Sequence, residues 1–344
     1  MKKTIYILSI ALMLPHLLSA EGFIEAGRVS PVQDASHFGV RVGLIQEFEG
    51  GVQELSRLVT RRTGSSSGDL PESYTFKELG FDDDYGTAGI VYQKPWKYFT
   101  FNFQANYFRP KVSTTAIRDF FIGVPNVEFG GTEYDYMFIP KGQKYTATLD
   151  NLLLRLGTRF TPLTFKFGED NYVTPWIGLG VFSAIGFFEV DAGRATGLTQ
   201  SENPPRDYVV KGKGDGINGG AIPEIGIGLD AYFQLTSDIG LELGGGIMAM
   251  EYDGRTDIVG IKSRNVKDLD ASYRAAELSA RLRFRRSETK DFFLGINLQT
   301  FDTDANTSAD TDQTTKEILT KREKFDKNIT LEFITGTIEA GFIF

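Results

Sequence analysis

The chain has 344 residues, of which 41% are Ala, Val, Ile, Leu, Met, Phe, Trp, Tyr or Cys and 24% are charged, enough apolar matter to exclude wholesale disorder. Cys is absent, which excludes disulfides, thiolate metal sites and cysteine nucleophiles, and two histidines leave little scope for zinc or histidine catalysis. The formal net charge of −8 lacks the basic footprint of a nucleic-acid binder.

Residues 1–20 read MKKTIYILSIALMLPHLLSA. Lys2 and Lys3, an apolar stretch from Ile5 to Leu14 and a small residue at Ala20 form a secretory signal peptide, too short for a spanning helix. The remainder, 21–344, is expected to be one exported domain. Its longest apolar run, Ile177 to Phe188, is broken by Gly and Ser, so no transmembrane helix is expected.

The first strand is read at 37–47, with His37 at its periplasmic start and Arg41 on its polar face. Residues 52–62 place Val52, Leu55 and Val59 at helical spacing, and Gly64 to Gly68 is a flexible stretch. That segment is either a plug over a pore or a surface loop. Tyr74 to Phe81 and Phe23 to Val29 are possible extra strands. Asp82-Asp83-Asp84 reads as a solvated loop in preference to a calcium site.

Strands follow at 85–93 and 97–108, joined across Lys94-Pro95-Trp96. Residues 97–108, KYFTFNFQANYF, put Phe99, Phe101, Phe103, Ala105 and Tyr107 on one face and Thr100, Asn102, Gln104 and Asn106 on the other. The next strands are 145–161, with Arg155 and Arg159, and 172–190. Gly212 to Gly216 resembles a phosphate loop only superficially and is read as a flexible loop. Strand 218–235 sets Ile225, Ile227 and Leu229 against Glu224 and Asp230, and strand 239–253 carries Glu242. Strand 271–286 sets Ala276, Leu278, Ala280 and Leu282 against Glu277, Arg281, Arg283 and Arg285. Strand 291–302 sets Phe292, Leu294, Ile296 and Leu298 against Gly295, Asn297 and Gln299. Asp302, Asp304, Asp310 and Asp312 are placed in the last long loop, and 327–344 is the final strand.

Strand length separates a membrane barrel from a soluble sandwich. Soluble strands average about 5–6 residues, and a spanning strand needs about 9–11. The strands here reach or exceed the second figure, and the gaps between them alternate long and short. The expected fold is therefore all-β: a transmembrane antiparallel up-and-down barrel with short periplasmic turns and long outer loops. Ten strands are read, with twelve or eight as the alternatives.

In the final strand Ile338, Ala340, Phe342 and Phe344 share one face, and Glu339 lies on the other. A terminal Phe on an alternating strand resembles the assembly signal of bacterial outer-membrane β-barrels, and the chain resembles the small porin-like and OmpA-like barrels in architecture. That resemblance implies a Gram-negative outer membrane, export past periplasmic chaperones and insertion into lipid by the barrel-assembly machinery.

Pooling the polar faces assigns Arg41, Arg155, Arg159, Glu224, Asp230, Glu242, Glu277, Arg281, Arg283, Arg285 and Glu339 to the lumen. They form either a charged constriction of a pore or an ion-pair network filling a narrow barrel, and the size argument favours the network, since about eight strands already enclose only side chains. No cofactor or metal is expected. After the leader, His37 is the one histidine, at the wrong end for outer-surface hydrolysis. The expected function is a non-enzymatic structural or surface-interaction barrel; the alternatives are a passive channel for small solutes and, more weakly, an enzyme.

Overall fold

In the computed structural model the described residues are 22–26, 35–60, 70–81, 84–118, 120–129, 132–167, 170–192, 208–209, 213–254, 268–286, 290–309 and 320–344. Residues 1–20, read as a leader, lie outside them. The regular elements among them are strands: β1 (Gly22–Ala26), β2 (His37–Thr60), β3 (Leu70–Thr75), β4 (Tyr85–Trp96), β5 (Phe99–Phe108), β6 (Lys111–Thr115), β7 (Phe120–Phe129), β8 (Thr132–Ile139) and β9 (Lys144–Phe160). The chain continues with β10 (Leu163–Phe167), β11 (Asn171–Asp191), β12 (Tyr208–Val209), β13 (Lys213–Gln234), β14 (Ile239–Gly254), β15 (Asp268–Arg285), β16 (Asp291–Ala309) and β17 (Thr320–Ile343).

Ten strands close a cylinder in the order β2-β4-β5-β9-β11-β13-β14-β15-β16-β17 and back to β2, every neighbouring pair antiparallel. Closure leaves no sheet edge in the wall, which lipid could not satisfy. The final strand completes the ring: β17 pairs with β16 on one side and β2 on the other, and Ser36 and Phe344 exchange backbone hydrogen bonds of 2.8 and 2.9 Å. The expected ten-strand count holds. The additional strands of the twelve-strand alternative exist only outside the wall: β1 pairs with β10, and β3 flanks β2.

Each wall strand turns large apolar side chains outward. Val42, Ile90, Phe101, Leu156, Leu179, Ile227, Ile247, Leu278, Ile296 and Ile338, one from each strand, are all exposed. A belt of this extent far exceeds the isolated apolar groups normal on a protein in water, and it suits a lipid-facing wall.

Four expectations need correction. Residues 52–60 are strand, not helix: Val52 opposes Ile329, Leu55 opposes Asp326 and Val59 opposes Lys321. Local helical spacing yields here to a partner strand whose backbone groups would otherwise lack a ladder. Residues 213–216 are strand as well, paired with 188–191. Asp302 and Asp304 lie on β16 opposite Glu332 and Thr330, not in a loop; Asp310 and Asp312 lie outside the described residues. The turn after β4 is Lys97-Tyr98, two residues later than read, with Lys97 at φ 53° as a tight hairpin requires. Beyond these, β2 carries a bulge: Gln46 opposes Ile334 and Glu49 opposes Glu332, with Glu47 at φ 52°. The extra residue shifts the alternation, so both Ile45 and Phe48 face inward and are buried.

Candidate functional site

The lumen has two parts. The half nearer the short turns is a polar network. Arg41 and Glu339, respectively 1% and 0% exposed, are direct cross-strand neighbours on β2 and β17 and pair through Nε and Oε2 at 2.8 Å. The other oxygen of Glu339 accepts from Nε of Arg281. The register explains the reach. Between Arg281 and Glu339 stands Gly295 of β16, where a Cβ would lie 2.7 Å from Cγ of Arg281.

Glu277 is the hub. Its carboxylate accepts from Asn297 Nδ2 at 3.0 Å and Gln104 Nε2 at 3.3 Å, and faces Arg41, Arg155 and Arg159 at 3.8, 3.6 and 3.7 Å. Gln104 in turn accepts from Arg41 at 3.2 Å and from Gln299 at 2.9 Å. Arg155 also pairs with Glu224 at 3.2 Å and donates to the Tyr273 hydroxyl. Arg159 reaches Asp230 at 3.6 Å and lies 4.3 Å over the Trp176 ring. That ring fits because its register partners are glycines: a Cβ on Gly228 or Gly246 would come within 2.3 and 2.5 Å of it. At the mouth, Arg283 pairs with Asp291 at 2.6 Å and Glu242 at 3.6 Å, and Glu242 meets His37 at 3.3 Å.

The half nearer the long loops is mainly apolar, with Asn151 the buried polar partner of Phe108 in register. Every wall strand contributes an inward side chain to one layer: Phe48, Tyr85, Phe108, Leu153, Phe182, Ile222, Met248, Tyr273, Phe301 and Phe333. Their rings meet in the bore: Phe301 stacks on Phe333 with centroids 4.7 Å apart, Phe182 lies tilted to Phe301 at 4.6 Å, and Phe48 meets Phe108 edge-on at 5.8 Å.

A turn between β3 and β4 caps this layer with the buried side chains Phe76, Leu79 and Phe81. The turn is built like a helix start. Thr75 N donates to Glu78 Oε2 at 2.9 Å and Glu78 N donates to Thr75 Oγ1 at 3.1 Å, reciprocal bonds that satisfy two otherwise orphaned donors. Gly80, at φ 92°, ends it. Tyr145 donates its hydroxyl to Leu79 O at 3.1 Å, and Arg118 holds Glu78 through two bonds of 3.1 and 3.0 Å. The Arg118 hydrogen bond, helped by the Thr75 bonds, holds the Glu78 carboxyl below its usual range.

Of the lumen residues read from the sequence, ten join the polar network: Arg41, Arg155, Arg159, Glu224, Asp230, Glu242, Glu277, Arg281, Arg283 and Glu339. Arg285 does not; as the last residue of β15 it is exposed at the rim, where the wall ends. Of the four proposed assembly residues, Ile338, Phe342 and Phe344 are exposed on the outer face, with the smaller Ala340 half-buried between neighbours. Gln104, Asn297 and Gln299 were legible on the polar faces of their strands but carry no charge to draw notice. The inward rings at Phe182, Phe301 and Phe333 left no such signal, because they interrupt polar faces with apolar residues. Of the two readings of the first long gap, plug or surface loop, the plug reading falls on 52–62; the segment that caps the lumen is 76–81.

No family model matches the chain, and no curated protein matches its sequence. Among solved structures it is similar to the outer membrane protease OmpT from Escherichia coli, at 8% identity, 91% of this chain, 99% of that chain and a TM-score of 0.36. It is also similar to the P. putida toluene transporter TodX, at 10% identity, 91% of this chain, 90% of that chain and a TM-score of 0.20. At these values the likenesses carry nothing about this chain's chemistry.

Proposed function

We propose that this protein is a non-catalytic outer-membrane β-barrel with a structural or surface-interaction role and an occluded lumen. The observation that carries the proposal is the apolar layer to which all ten wall strands contribute, capped by Phe76, Leu79 and Phe81. Water and ions do not wet a bore packed with rings at van der Waals spacing. The belt of exposed apolar side chains supports a lipid-bound wall, with the short turns in the periplasm. The signal-peptide reading of residues 1–20 and the alternation of the final strand support delivery by periplasmic chaperones and the barrel-assembly machinery.

Purified protein reconstituted in a planar bilayer tests the occlusion. The expected result is a flat trace at neutral pH; stepwise, ion-dependent current favours the channel reading instead. Cell fractionation and heat-modifiable migration on SDS gels test the location. Recovery of the whole protein in the soluble periplasmic fraction overturns it.

A further inference from the structure

The polar half of the lumen contains a cavity of about 110 Å³ at the short-turn mouth, where His37, Gln93, Thr100, Asp230, Glu242 and Ser279 are among the lining residues. That volume holds several waters or one small organic ion. Its charges are unevenly committed. Among the described residues, the lumen's ion pairs join five guanidinium groups (Arg41, Arg155, Arg159, Arg281, Arg283) to six carboxylates (Glu224, Asp230, Glu242, Glu277, Asp291, Glu339), and His37 meets Glu242 as well. The arginines facing the cavity are occupied: Arg281 by Glu339 and Gln93, and Arg159 by Glu277, Asp230 and the Trp176 face.

Asp230 is the carboxylate left short. Its ion pair is a shared guanidinium 3.6 Å away, and its side chain is 44% exposed, against 0–16% for the other five carboxylates. The backbone keeps the space beside it open. A Cβ on Gly244 would lie 2.7 Å from Ser279 Oγ and 3.1 Å from Asp230 Oδ1. Tyr172, stacked on Tyr232 with centroids 5.5 Å apart, supplies an aromatic wall of the same cavity.

We infer that this cavity is a binding site for a small monovalent organic cation of the ammonium class, with Asp230 as its counter-ion. An ammonium group donates N–H bonds to Asp230 and to the Ser279 hydroxyl, and its charge faces the most exposed of the lumen carboxylates. The apolar layer above makes the site blind, so the cation enters and leaves by the mouth bounded by the short turns.

The absence of cysteine makes single-thiol probing clean. Ser279→Cys reports on the cavity, and Ser237→Cys, in the exposed β13–β14 turn, reports the reference reactivity. Thr100→Cys, on the opposite wall of the cavity, is a second reporter, and heat-modifiable migration shows first that each variant is a folded barrel. The readout is the modification rate by a cationic trimethylammonium methanethiosulfonate divided by that of its anionic sulfonate analogue. The expected ratio is about tenfold higher in the cavity than at the reference, as field focusing in a charged cleft predicts. Asp230→Asn is expected to bring it down to the reference value. Methylammonium is expected to slow cavity labelling more than sodium does at equal ionic strength. A ratio equal to the reference, no labelling of either cavity thiol, or equal slowing by methylammonium and sodium overturns the inference. These outcomes are read in detergent-folded protein and are independent of whether the barrel conducts.

Discussion

At the scale of single residues, the lumen shows why a charge inside a barrel needs a specific partner. Arg41 and Glu339 are wholly removed from solvent, and each is held by more than one group. Replacing one member of such a pair strands the other. Glu339→Ala is therefore expected to cost about 3–5 kcal/mol, read as a lowered urea midpoint in the gel-shift assay of the folded barrel. Glu78 sits outside the wall and gives a pH signature. Its folded pKa lies below the ordinary 4.5, so its contribution to holding the capping turn is fully present above that value and lost as pH falls through the depressed one. Amide exchange of Phe76 to Phe81 is expected to stay slow at neutral pH and to quicken, relative to intrinsic exchange, only in that acidic window. Arg118→Ala should shift the onset upward, and at neutral pH it should cost less than about 1 kcal/mol because the pair is partly exposed.

At the scale of elements, strand pairing decides what a side chain can be. Trp176 occupies the lumen only because β13 and β14 present Gly228 and Gly246 beside it in register. Gly228→Val is expected to displace the indole and to lower stability by about 1–3 kcal/mol, with a change in Trp fluorescence reporting the movement. The apolar layer depends likewise on seven aromatic-bearing strands, β2, β4, β5, β11, β15, β16 and β17, meeting at one height. Phe301, 4% exposed, touches the rings of Phe182, Tyr273 and Phe333. Phe301→Ala is expected to cost about 3–5 kcal/mol in the same unfolding assay.

At the scale of the whole molecule, the barrel is inside out relative to a soluble β-protein only on its outer face. Inside, the half nearer the short turns is polar and laced with ion pairs, and the rest is mainly an apolar core. An outward substitution is therefore the test of the solvent. Ile338→Arg, at a position 58% exposed, is expected to cost about 2–4 kcal/mol in bilayers, where arginine meets hydrocarbon near the midplane. On a surface facing water the same change would be close to neutral. Refolding into lipid vesicles against a urea series measures the difference.

The sequence by itself determined the wall. Period-two alternation at 97–108, 223–235, 274–286 and 334–344 is local, because successive side chains of any strand point opposite ways, and such patterning made the ten-strand wall legible. What the tertiary structure alone decided is whether the cylinder is open. The strand at 52–60 carries helical spacing and folds by pairing with β17. The bulge at Glu47 resets which residues of β2 face inward. The rings of Phe48, Phe182, Phe301 and Phe333 come from four strands whose relative heights are fixed by the stagger of the closed sheet. Alternation within a strand states only which face a residue occupies. The level at which that face meets nine others is a property of closure, and at that level the bore fills with aromatic side chains.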